Sequence, residues 1–145
     1  MITNERQYRI TKAELERFER DATTHSTREP STGVDPLIHA AMGNALTSQA
    51  DELRAQLHRY EQLRDGHVTG RDLDSLRDLP TALIEARIAA RLTQRALAER
   101  LGVAEQQIQR WEATAYTSVG LDRLQDVADA LGTQIHETII YSNAA

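Results

Sequence analysis

The sequence predicts a mainly α chain: an N-terminal helical, coiled-coil-like region, a compact set of short helices after it, and a short β-strand at the C-terminal end. Three observations carry this expectation. Apolar residues recur three and four apart through most of the chain. Asp-Pro, Leu-Pro and Leu-Gly pairs stand where helices would begin or end. Only after Gly132 does the pattern change to alternation among β-branched residues. The expected division is residues 1–66 for the N-terminal helical region, 67–78 for a connector, 79–132 for a helical domain and 133–145 for the strand and tail.

In the first region Thr11-Lys12-Ala13-Glu14 fits a capping box, and the helix it opens carries Leu15, Phe18 and Ala22 on one stripe. Ser, Thr, Pro and Gly crowd residues 23–34, which read as a loop. Asp35 then caps a helix with Pro36 in its first turn, and helix-compatible sequence continues to Asp65 before Gly66. Its stripe is Leu46, Ala50, Leu53, Leu57, Tyr60 and Leu63. Gly43-Asn44 weakens the early part by roughly 1 kcal/mol and would allow a bend. So long a stripe outruns the first helix, which points to a second chain covering the remainder; the alternative is packing within one subunit only.

Residues 67–78 read as a connector with a helical turn through Leu73 and Leu76. Pro80 begins the next helix, with Leu83, Ile84, Ile88 and Leu92 inward. The window 92–112, LTQRALAERLGVAEQQIQRWE, is the most informative in the chain. Leu92, Ala96, Leu97, Leu101, Ile108 and Trp111 give two short helices one apolar face each. Thr93 has the side chain to cap the first, and Gly102 suits the left-handed residue that ends it. Ala98 sits inward, where only a methyl lets the second helix cross closely. That second helix, about 104–113, turns Glu105, Gln106, Gln109 and Arg110 outward. Gln matches adenine N6 and N7 in two-pronged fashion, and Arg matches guanine O6 and N7, so this face has the chemistry of a major-groove reader. Leu121, Leu124, Val127, Ala128 and Leu131 define a last helix that Gly132 ends.

This window resembles the XRE, or phage-repressor-like, helix-turn-helix family: LTQ opens a helix, ALAERLGV follows, and the next helix ends in IQRWE. The resemblance covers about residues 79–132, and Gln94, Ala98, Gly102, Ile108 and Glu112 fall on its specific placements. It implies a five-helix-type, lambda repressor-like domain. It further implies that Thr93, Gln94 and Arg95 contact phosphates while Glu105, Gln106, Gln109 and Arg110 face bases. Two departures stand out: Ala104 replaces a frequent Ser or Thr, which weakens the cap, and Thr114 replaces a Gly, which bears on the loop Ala115–Ser118.

In the tail, Ile135, Glu137, Ile139 and Tyr141 alternate with His136, Thr138 and Ile140, which reads as a short strand. A lone strand leaves its backbone unpaired, so pairing with the same strand of a second subunit is expected, as antitoxin-type members of the wider family suggest. The alternative is a tail packing Ile135 and Ile139 on its own domain.

Composition bounds the function. The net charge of −5 disfavours nucleic acid only if affinity follows total charge, whereas it follows local arrangement. Arg87, Arg91, Arg95, Arg100 and Arg110 crowd the reading unit. With no cysteine there is no disulfide or thiolate metal site, and His25, His39, His58, His67 and His136 are dispersed. No nucleophile elbow or glycine-rich phosphate loop occurs, and carboxylates such as Asp72 and Asp74 sit at spacings routine on solvated helices. No cofactor, no metal and no enzymatic activity are expected. No apolar run suits a signal peptide or membrane span, so the expected location is the cytoplasm. The expected partners are double-stranded DNA and a second copy of the chain, as a dimeric repressor at a palindromic operator. The alternative is an antitoxin whose N-terminal region neutralises a cognate toxin protein.

Overall fold

Asn4 opens the first helix in the computed structural model, which describes residues 1–142. The Asn4 side chain accepts from the Gln7 N–H at 2.9 Å, and the Gln7 side chain accepts from the Thr3 N–H at 2.8 Å, a reciprocal cap. Helix α1 therefore runs Glu5–Thr27, well beyond the span expected from Thr11 to Ala22. The expected start failed because Thr11 lies half-buried in a helix face, within a helix already nucleated upstream. The expected stop failed because Thr23, Ser26 and Thr27 return their hydroxyls to carbonyls three or four residues back, which keeps them compatible with the helix.

Helix α2 runs Pro36–Arg64, capped by Asp35 accepting from the Leu37 N–H at 2.8 Å, in agreement with the sequence reading. The two helices lie antiparallel. Tyr8, Thr11, Leu15, Phe18, Ala22 and His25 on α1 meet His39, Gly43, Leu46, Ala50, Leu53, Leu57 and Tyr60 on α2, each set spaced three and four apart as in a coiled coil. Because α1 is long, it covers the stripe that had suggested a second chain: Ala50, Leu53, Leu57, Tyr60 and Leu63 are all buried within one subunit. Tyr8 stacks on Tyr60 with centroids 5.4 Å apart and donates to Glu61 at 2.5 Å, while the Arg64 guanidinium lies 5.1 Å from the Tyr8 ring. At the other end His25 stacks on His39 with centroids 4.0 Å apart, and its Nε2 lies 2.7 Å from the His39 carbonyl oxygen. Two histidines that looked dispersed are thus neighbours. Gly43 is the position that permits this, since a Cβ there would come within 3.0 Å of the His25 ring. It serves close approach rather than a bend.

The chain divides between Thr69 and Gly70 into two compact units. In the second, a 3-10 turn at Leu76–Asp78 leads into α3 (Leu79–Ala89), α4 (Gln94–Leu101), α5 (Glu105–Ala113) and α6 (Leu121–Leu131). This is four α-helices preceded by a 3-10 turn among the described residues. Leu83, Leu97, Ile108 and Val127, one from each helix, are almost wholly buried and form the centre of the core. Ala98, 2% exposed, lies where α4 meets α5.

Each helix of this unit ends in the same way. The residue after the left-handed position donates back to a carbonyl five residues earlier: Leu92 to Arg87, Val103 to Ala98, Tyr116 to Trp111 and Thr133 to Ala128. The left-handed position is Gly102 after α4 and Gly132 after α6, but Arg91 after α3 and Ala115 after α5. The sequence marked the two glycine stops and gave no sign of the other two.

The expected strand is not formed. No strand occurs among the described residues, and residues 133–142 follow no regular secondary structure. The β-branched alternation is real, but no other extended segment of the described chain lies beside it to complete a ladder. Ile135 is half-buried, whereas Ile139, Ile140 and Tyr141 are exposed. Residues 143–145 of the expected tail lie outside the described residues. No described helix is long and apolar enough to cross a membrane.

Candidate functional site

The outward face of α5 depends on what holds its inward face. Glu112, one turn beyond Ile108, is 5% exposed and receives three hydrogen bonds. Arg87 on α3 donates from Nε to Oε1 at 2.6 Å and from Nη2 to Oε2 at 2.8 Å, a two-pronged charged pair. Gln94 at the start of α4 donates from Nε2 to Oε2 at 2.7 Å. The remaining reach of Arg87 goes to the Leu92 carbonyl, 2.8 Å from Nη1, in the turn between α3 and α4. One buried carboxylate therefore ties α3, α4 and α5 together and fixes the rotation of α5 about its axis.

The cluster involves two residues singled out in the sequence. Arg87, one of the arginines that crowd this unit, is 2% exposed and bonded inside it. Gln94, expected at a phosphate, is 8% exposed and uses its amide nitrogen on Glu112. Arg100 also differs, because its Nη1 donates to the Ala130 carbonyl at 2.8 Å and satisfies the last turn of α6.

With the inner face held, Glu105, Gln106, Gln109 and Arg110 fall on one exposed arc of α5, opposite Ile108 and Trp111. Gln109 donates to Glu105 at 3.1 Å, a pairing one turn long on that surface. Gln106 and Arg110 make no side-chain hydrogen bond or ion pair with another described residue. Ala104 gives α5 no side-chain cap, as its chemistry dictates, so the first N–H groups of α5 are left without that partner. Beside this arc, Thr93 caps α4 by accepting from the Ala96 N–H at 3.0 Å, which leaves its O–H available to donate. Arg95 is exposed and pairs with Glu99 at 3.1 Å on the same helix.

Behind α5 the loop 114–120 carries three non-glycine residues in the left-handed region, Ala115, Tyr116 and Ser118. Such conformations cost of order 1 kcal/mol each. Tyr116 offsets part of this by burial, since its ring is 3% exposed and its centroid lies 6.1 Å from that of Trp111. Its hydroxyl meets no hydrogen-bond partner among the described residues. Burial first, and then the Glu112 carboxylate, push the hydroxyl well above the ordinary tyrosine value of 10.0. The unfolded chain ionises near that ordinary value while the folded one holds its proton, so stability falls as pH rises above about 10. Tyr116→Phe should raise stability by about 1 kcal/mol at neutral pH and flatten this alkaline decline, both measurable by urea unfolding. A loss of more than about 1 kcal/mol would mean that the hydroxyl has a partner after all.

Among the described residues no three His, Cys, Asp or Glu side chains are grouped to hold a metal ion. Residues 83–137 match the helix-turn-helix family model, which spans α3 to the segment after α6. No curated protein and no solved structure matches the chain.

Proposed function

Because residues 83–137 belong to the XRE-type helix-turn-helix family, a family of DNA-binding regulatory domains, we propose that the chain is a dimeric, sequence-specific repressor that reads a palindromic operator. The observation that carries this reading is the two-sided design of α5. Its inner face is locked by Glu112 to Arg87 and Gln94, and its outer arc presents Glu105, Gln106, Gln109 and Arg110. A helix held this rigidly can present side chains to base edges in the major groove with little ordering on binding. Gln106 and Arg110 supply most of the base discrimination, since neither is engaged elsewhere. Gln109 reads a base only by leaving Glu105 or together with it. Thr93 and Arg95 contact phosphates, and Gln94 acts as the strut that places them.

Selection of bound duplexes from a random pool, at defined salt, tests the reading. The expected result is a symmetric site whose halves lie about one helical turn, roughly 34 Å, apart. Affinity should fall steeply with salt, by a log–log slope of roughly −0.9 per phosphate contact. Absence of any enriched symmetric sequence would remove the proposal.

A second reading is that the chain is an antitoxin that also controls its own operon. It is favoured by the size of the first unit, Met1–Thr69, a complete packed unit outside the helix-turn-helix segment. In that case a toxin protein encoded nearby co-purifies stably and is inhibited through α1 and α2.

A further inference from the structure

The first turns of α2 are apolar on two faces. One face meets α1 through His39, Gly43 and Leu46. The other carries Leu37, Ile38 and Met42, exposed to 79%, 58% and 54%, with Ala41 and Ala45 exposed among them. These positions follow the spacing of a helical stripe, and no described part of the chain covers them. We propose that this outer face of α2, Leu37 to Ala45, is where two copies of the chain pair about a two-fold axis.

Charge selects a second copy as the occupant. From Pro36 to Ala50 there is no Asp, Glu, Lys or Arg, although charged residues make up 27% of the chain. About four would be expected in a stretch of that length at the average rate. A face that meets its own copy about a two-fold brings the charges nearest the axis beside their like, so a molecule of net charge −5 self-associates readily through a neutral strip. Apolar side chains with a methionine and no charge are also the composition of an interface core. A partner of opposite charge would call instead for charged residues on this strip, and none is there.

Size agrees. The exposed apolar side chains offer roughly 500 Å² per copy, within the range of functional patches. Two copies would bury roughly 1,000 Å², the threshold for specific association. With the axis near Ala41, Leu37 and Ile38 of one copy pack against Met42 and Ala45 of the other, and the small alanines let the helices approach closely. The inference rests on the reading of the chain as a two-fold DNA reader, and it supplies the coupling that such a reader requires.

Sedimentation of the full chain without DNA tests it directly. The wild-type protein should run at twice its 16.3 kDa mass at tens of micromolar, and Ile38→Glu with Met42→Glu should run at the single mass with unchanged helical circular dichroism. As the chain has no cysteine, Ala41→Cys gives an independent readout that needs no disruption of the fold. Under oxidation it should form a covalent dimer much faster than Glu16→Cys, on an exposed part of α1. A monomeric wild-type protein, a dimer unmoved by the paired glutamates, or equal cross-linking at both positions would overturn the proposal. A dimer that selects no DNA would leave this interface standing and remove the operator reading instead.

Discussion

Glu112→Ala should lower the stability of the helix-turn-helix unit by about 3–5 kcal/mol, because it strands a buried arginine. Urea unfolding followed by the fluorescence of Trp111 checks this, and Trp111, as the only tryptophan, reports on the unit that contains Glu112. The size of the effect follows from where the partners sit. Arg87 and Glu112 have side chains only 3% and 1% exposed, so the unpaired guanidinium cannot turn to water without opening the core. Gln94 loses its acceptor at the same time. Against a total stability of typically 5–15 kcal/mol for a domain, a loss of this size leaves a substantial unfolded fraction. Replacing Arg87, Gln94 and Glu112 together by apolar residues of similar volume should be far milder than the single change, since no charge is then left alone. A drop of less than about 1 kcal/mol in Glu112→Ala would show that the cluster does not bear on stability in this way.

That cluster also shows where the sequence was legible and where it was not. Asp35-Pro36, Thr93, Gly102 and Gly132 were readable because a cap or a left-handed stop is decided within a few residues. The pairing of Arg87 with Glu112 spans 25 residues and leaves no local mark. A signal did exist. Arg87 lies one turn from Leu83 and Ile84, Gln94 one turn before Leu97, and Glu112 one turn after Ile108, so each polar residue falls in an apolar register. Three such misfits in adjacent helices, of matching charge and hydrogen-bonding capacity, point to one another. The N-terminal cap was equally present, as Asn4 and Gln7, but Thr11 and Glu14 offered the same pattern one helix turn and more downstream. Only tertiary contact with α2 separates the two, through the burial of Tyr8 upstream of Thr11. The tail fails for the opposite reason. Its alternation describes a segment fit for a ladder, and a ladder needs a neighbour that the sequence pattern does not supply.

The arc of α5 leads to the second large effect. Arg110→Ala should leave folding almost unchanged, within about 0.5 kcal/mol, since the side chain is exposed and bonded to nothing in the described chain. On DNA it should relax preference at one base pair of each half-site by about 1–3 kcal/mol, roughly 5- to 150-fold, the worth of a two-pronged contact to guanine. Arg95→Ala makes the contrast. Its loss should weaken binding to all sequences alike and reduce the salt dependence by about one counterion per half-site, because a phosphate carries no sequence information. Competition between the preferred site and its single-base variants, measured for both proteins at two salt concentrations, separates these outcomes. If Arg110→Ala kept full preference at every position, the outer arc of α5 would not be the reading face, however firmly Glu112 holds it.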